Sequence, residues 1–254
     1  MPKWPGRISM ITSEQIADLA KFYNIDGFTL TREYLQLLFL AYLYQNKKAD
    51  KIYFKGGTAI RFLLGSPRFS EDLDFSTPFS KIQIKQIVKE AGQQMEKELP
   101  GLQTLPLYAG RTGIRFRVRY ALPHFKYPLT IRLDFTETKK AVGVVVSPLV
   151  SKFPISVFPL VSRLAETEIL AEKIQALTSR HKGRDLFDVW FLLEKGVNPP
   201  KVNFDKKNLI KKIKAFPQAE LDRDLVRFLP KPQRKITGML KEKLIERLGQ
   251  KIGY

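Results

Sequence analysis

The chain has 254 residues, no cysteine and a formal net charge of +19. Without cysteine there are no disulfides, thiolate zinc sites or cysteine nucleophiles, a composition that suits a reducing cytosol; residues 1–10 lack the apolar stretch of a signal peptide and the longest apolar run, 34–44, is too short to span a bilayer, so a soluble cytoplasmic protein with no membrane partner is expected. So large a basic excess concentrates polyanions at the surface and favours nucleic acid as partner, the alternative being lysine spread over every solvated face.

Residues 12–46 read as helical. Thr12 and Gln15 match a capping box at the start, and 34–43 is apolar nearly all round, which predicts burial. From 51 to about 160 strands alternate with helices: a strand at 52–54, a helix at 58–64, a strand at 72–75, a helix over 81–99, then strands at 114–120, 129–136 and 143–146. This is a mixed pattern of α and β elements. The strand at 114–120 alternates Ile114, Phe116, Val118 and Tyr120 with Arg115, Arg117 and Arg119, and the next alternates Ile131, Leu133 and Phe135 with Thr130, Arg132 and Asp134. If the two pair, Asp134 shares a face with the arginine row. Beyond 162 the pattern is helical, interrupted at Pro199-Pro200, Pro217 and Pro230, with apolar stripes at Leu209, Ile210, Ile213, Phe216 and at Ile236, Leu240, Leu244, Leu248. Lysines on the other faces, among them Lys206, Lys211, Lys214, Lys241 and Lys243, could track phosphates. A division into 1–160 and 161–254 follows.

Two short runs carry the chemistry. In Lys55-Gly56-Gly57-Thr58, a strand enters a glycine turn that opens a helix. Glycine admits positive φ, the first N–H groups of the helix are free, and the helix dipole adds its positive end, so Gly56, Gly57 and Thr58 form a candidate phosphate cradle. In Ser70-Glu71-Asp72-Leu73-Asp74, the two aspartates sit two apart on a strand and project to the same side. Carboxylates held that close repel unless a cation lies between them. Magnesium fits, since it takes one or two carboxylates together with substrate phosphates. Cradle and carboxylates together suggest nucleotidyl transfer. Asp134 is either a third metal ligand or a cross-strand salt-bridge partner. His124 and His181 sit in no triad or zinc pattern.

The segment 54–76 resembles the signature of the AbiEii/AbiGii toxin family, nucleotidyltransferases of the DNA polymerase β superfamily. A second block resembles the same family's downstream motif: Glu168-Ile169-Leu170-Ala171-Glu172-Lys173-Ile174-Gln175-Ala176-Leu177, then Arg180 and Arg184-Asp185-Leu186-Phe187-Asp188. The resemblance extends over 35–193. It implies an α+β fold, a nucleotidyltransferase-like mixed sheet with N-terminal helices and a C-terminal helical region. It further implies two magnesium ions, an NTP substrate, an RNA acceptor such as the 3′ end of tRNA, and a toxin paired with a separately encoded antitoxin. Lys173 lies beside the stripe Leu170, Ile174, Leu177; taken alone it could snorkel into water, and the resemblance assigns it to the triphosphate charge. Asp188 is implied to support the site with that lysine, a role extended to Asp185, which also reads as a helix cap. Ser70 lies near where a γ-phosphate would rest; the resemblance makes it a regulatory modification site, the plainer reading being a hydrogen bond at the strand entry. The turn Gly110-Arg111-Thr112-Gly113 departs from the family pattern, which has a lysine ahead of the glycine pair. Two other classes stay open, a non-catalytic RNA-binding protein and a phosphotransferase acting on protein.

Overall fold

The computed structural model describes residues 11–138, 143–153, 159–199 and 205–251; residues 1–10, on which the signal-peptide reading rests, and Pro200 lie outside them. Helix formation begins where the capping box places it. The Thr12 hydroxyl accepts from the Gln15 N–H at 3.1 Å, and the Gln15 side chain accepts from the Thr12 N–H at 2.9 Å. Helix α1 (Ser13–Tyr23) ends at Asn24, whose φ of 53° is the left-handed conformation that stops a helix. Asp26 then caps α2 (Gly27–Leu43) by accepting from the Thr29 N–H at 2.8 Å. The helical stretch is therefore two helices, and α2 is buried almost all round from Leu30 onward.

The elements that follow are β1 (Tyr53–Lys55), α3 (Gly56–Leu64), β2 (Asp72–Thr77), α4 (Lys81–Glu98), β3 (Gln103–Gly110), β4 (Gly113–Tyr120), β5 (Leu129–Glu137), β6 (Val144–Pro148) and β7 (Leu160–Leu164). Helices α5 (Glu166–Ser179), α6 (Gly183–Glu194), α7 (Lys206–Ala215), α8 (Gln218–Leu225) and α9 (Leu240–Lys251) complete the chain. Among the described residues the strands form one mixed sheet, ordered β3-β4-β5-β2-β1-β7-β6. Strand β1 runs antiparallel to β2 and parallel to β7, and β2 runs parallel to β5. The outer pairs are antiparallel.

Two strands were not expected. Strand β3 is largely exposed and carries Pro106, where its register against β4 shifts, as suits an edge strand that need not donate at every residue. Strand β7 joins the sheet beside β1, so the division read between 160 and 161 falls inside it and the helical part begins at Glu166. The alternation in β4 and β5 holds: Phe116 and Phe135 are buried, and Phe135 stacks on the buried Phe75 of β2 at 4.7 Å. Helices α2 and α4 cover that apolar face. Of the C-terminal stripes, Leu209, Ile213, Phe216, Leu240, Leu244 and Leu248 are buried. Among the described residues no helix is long and apolar enough to cross a membrane.

Candidate active site

Strand register assembles the site. The parallel pairing of β2 with β5 sets Asp72 beside Arg132 and Asp74 beside Asp134. Antiparallel pairing sets Arg115 of β4 beside Asp134 and Lys55 of β1 beside Asp74. Directly paired residues point to one side of a sheet, so a row of charge crosses four strands.

Helix α3 starts at the end of this row. Gly56 has φ +80°, and a Cβ there would collide with the Asp74 carboxylate. A Cβ on Gly57 would collide with Arg68 and press on the Ser70 hydroxyl. Only glycines let the helix N-terminus stand this close to the carboxylate row. Its leading N–H groups have no partner within the helix and carry partial positive charge. The Thr58 hydroxyl is buried and donates to the Asp72 carbonyl, tying α3 to β2. Of the expected cradle, Thr58 therefore keeps only its backbone N–H for a ligand.

Gly57, Ser70, Asp72, Asp74, Lys173 and Asp185 line one cleft of about 280 Å³. Arginine and lysine side chains close its other walls, Arg115 and Arg132 on the sheet side and Arg180, Lys182 and Arg184 on the helical side. The Lys173 ammonium lies 2.8 Å from Asp188 and 3.2 Å from Asp185. Burial works against its charge, but the two carboxylates outweigh burial and hold its pKa above the ordinary lysine value. Asp188 is fully buried, and Arg68 grips it with two hydrogen bonds of 2.8 and 2.9 Å. Asp185 takes two more from Arg180 at 2.7 and 2.9 Å. Burial alone would raise both carboxyls; their cationic partners reverse this and keep both pKa values depressed. Asp188 thus sits behind the cleft, held between Arg68 and Lys173.

Asp74 is the opposite case. Its carboxylate makes no hydrogen bond or ion pair among the described residues, and Lys55 beside it is held by Glu172. Burial, with Lys173 and Lys55 opposing and Asp72 and Asp134 reinforcing, pushes its pKa up to about 6. Asp72 is raised too, by burial, although Arg132 is paired with it. Asp134 is engaged by Arg115 and, at 3.0 Å, by Arg132. It also lines the cleft beside Asp74, as Asp72, paired with Arg132, does on the other side. Among the described residues no three His, Cys, Asp or Glu side chains are grouped to hold a metal. Asp72 and Asp74 nevertheless suit a hard cation that draws its remaining oxygens from a bound phosphate, because the unpartnered, half-buried Asp74 carboxylate is stabilised by positive charge.

Arg68 lies inside the segment 54–76 but has no role assigned from sequence. Its only signal was an arginine between Pro67 and Phe69 with no solvated pattern around it. Arg115, Arg132 and Arg180 were named without their part in the cleft. His181 stacks on Phe216 at 3.9 Å, away from the carboxylate row.

Residues 38–247 match the sequence profile of a family described as nucleotidyl transferase AbiEii toxin, type IV TA system. The chain belongs to this family. That places it among the nucleotidyltransferase toxins of type IV toxin–antitoxin systems, in agreement with the sequence resemblance. No curated protein matches it. Among solved structures, the MenT4 nucleotidyltransferase toxin of Mycobacterium tuberculosis aligns with a TM-score of 0.59 at 18% identity, covering 96% of this chain and 91% of its own. JHP933 from Helicobacter pylori aligns with a TM-score of 0.54 at 22% identity, covering 89% and 95%. The shared fold spans nearly the whole AbiEii chain, and the α+β expectation holds.

Proposed function

We propose that this AbiEii chain transfers a nucleotide from an NTP to an RNA acceptor, such as the 3′ end of tRNA, in the cytoplasm. The observation that carries the reading is that Asp72, Asp74, Lys173 and the N-terminus of α3 open on one cleft. Asp72 and Asp74 would hold two magnesium ions together with the substrate phosphates, and Asp134, beside Asp74 in the same cleft, would complete the set on release from its arginines. Bound there, magnesium supplies Lewis-acid activation of the attacking hydroxyl and charge neutralisation at the leaving pyrophosphate. The N–H groups of Gly57 and Thr58 and the Ser70 hydroxyl bind phosphate oxygens, and modification of Ser70 would block that position. Lys173, kept charged by Asp188 and Asp185, balances the triphosphate. A separately encoded antitoxin is the expected protein partner.

The test is to incubate the protein with each labelled NTP, magnesium and total tRNA. One NTP should label the tRNA, and Asp74→Asn should abolish labelling while keeping the fold, because an amide offers magnesium no anionic oxygen. A folded Asp74→Asn variant with full transfer would falsify the metal assignment.

A further inference from the structure

The carboxylate row does not end at the cleft. On the open side of the sheet β4 carries Arg115, Arg117 and Arg119, about 7 Å apart because alternate residues of a strand share a face. Arg115 and Arg132 line the cleft itself. Arg117 stands directly beside Arg132, a like-charge pair across two strands that costs stability unless an anion answers it. Arg132 has Asp72 and Asp134; Arg117 and Arg119 are exposed and make no ion pair or hydrogen bond among the described residues. Two guanidiniums therefore lie in water, in line with the catalytic carboxylates.

The neighbouring edge strand adds a flat aromatic. Tyr108 is in register with Arg115 and Leu105 with Arg117, so both stand on this face, and they are 61% and 43% exposed. A Cβ on Gly110 would collide with the Tyr108 ring, so the ring lies down across the glycine. The outer end of the ring thus reaches along the strand over Gly110 while most of the residue stays open to solvent.

We infer that the open face of β3 and β4 is the track on which the acceptor's single nucleic-acid strand lies, with its phosphates on Arg117 and Arg119, a base stacked on Tyr108 and its terminal hydroxyl delivered past Arg115 to Asp72 and Asp74. Evenly spaced cations along a strand match a repeating polyanion, and an exposed aromatic beside them accepts any base; an acidic protein surface supplies neither the repeat nor the planar ring. The C-terminal lysines are a poorer track. Lys212 and Lys241 are turned back onto the Thr178 and Phe216 carbonyls.

This rests on the nucleotidyl-transfer reading, and its test keeps the two apart. Binding of a fluorescent single-stranded RNA of about twelve nucleotides, checked against a DNA of the same sequence, is measured by anisotropy across a salt series for the wild type, R117E/R119E, the milder R117Q/R119Q, Y108A and K211E/K214E. Replacing Arg117 relieves its repulsion with Arg132, so thermal unfolding of these variants should hold or rise slightly, and a fall would mark misfolding. R117E/R119E should weaken RNA binding at least tenfold, and R117Q/R119Q should flatten the salt dependence by roughly 1.4 in log–log slope for two lost phosphate contacts. Y108A should weaken binding about tenfold. In transfer assays the loss should fall on KM for tRNA. Parental RNA affinity in folded R117E/R119E, or a loss confined to K211E/K214E, overturns the track. If the wild type transfers no nucleotide yet binds RNA through Arg117 and Arg119, the transfer reading fails and the track stands.

Discussion

Lys173 and Asp74 face the same cleft, one from helix and one from sheet, in opposite electrostatic conditions. Around Lys173 every charge has a partner: Arg68, Asp188, Asp185 and Arg180 form a chain of ion pairs sealed mostly from water. Around Asp74 the nearest anions add to the cost of burial and no cation is in contact. The contrast separates scaffold from reactive group. A charge matched within the protein holds its position whether or not a ligand arrives, whereas a charge left unmatched is completed only by what binds.

The largest effect should come from breaking the matched side. Asp188→Ala leaves Arg68 buried without a counter-ion and should cost about 3–5 kcal/mol in urea unfolding, whereas replacing Arg68 and Asp188 together by leucine should recover most of that loss. A single variant that loses less than about 1 kcal/mol would mean the pair is not sealed from solvent.

Next in size is Lys173→Ala. Removing one preorganised stabiliser of charge should lower single-turnover transfer at saturating NTP on the order of a hundredfold, about 2.7 kcal/mol of activation free energy. Lys173→Arg should restore only part, since a planar fork does not reproduce a point charge held between two carboxylates. Transfer at the parental rate by Lys173→Ala would reduce the whole matched chain to scaffold.

The smallest effect sharpens the unmatched side. The folded pKa of Asp74 stands near 6 against an ordinary 3.8, so the folded state holds the proton more tightly than the unfolded chain. Its contribution to stability is therefore favourable below about pH 4, is lost as pH rises to about 6, and does not change further above that. Asp74→Asn should then be more stable than the parent at neutral pH, on the order of 1–3 kcal/mol, with the difference vanishing at pH 4. Melting curves for the two proteins from pH 4 to 8 check this, and parallel curves would mean Asp74 has a partner in solution.

Local pattern carried the sheet half of the site into view. Asp72 and Asp74 on one strand face, the glycine pair ahead of a helix, and the alternation that sets Arg115 against Asp134 are all properties of neighbours in sequence. Strand β3 escaped because an exposed edge has no apolar alternation to betray it, and β7 because five residues running straight into a helix leave little pattern to read. Arg68 escaped for a different reason. Its meaning depends on Asp188, and no periodicity spans such a separation.

That separation has a consequence for the order of synthesis. Arg68 leaves the ribosome 120 residues before the carboxylate that neutralises it. Until α6 emerges, an interior position would leave that guanidinium uncompensated, at a cost of several kcal/mol. The carboxylate row is translated early and the lysine opposite it late. The cleft of this chain thus closes only after α6 is made, 120 residues beyond Arg68, and a fragment that stops before α5 carries the acids without the cation that faces them.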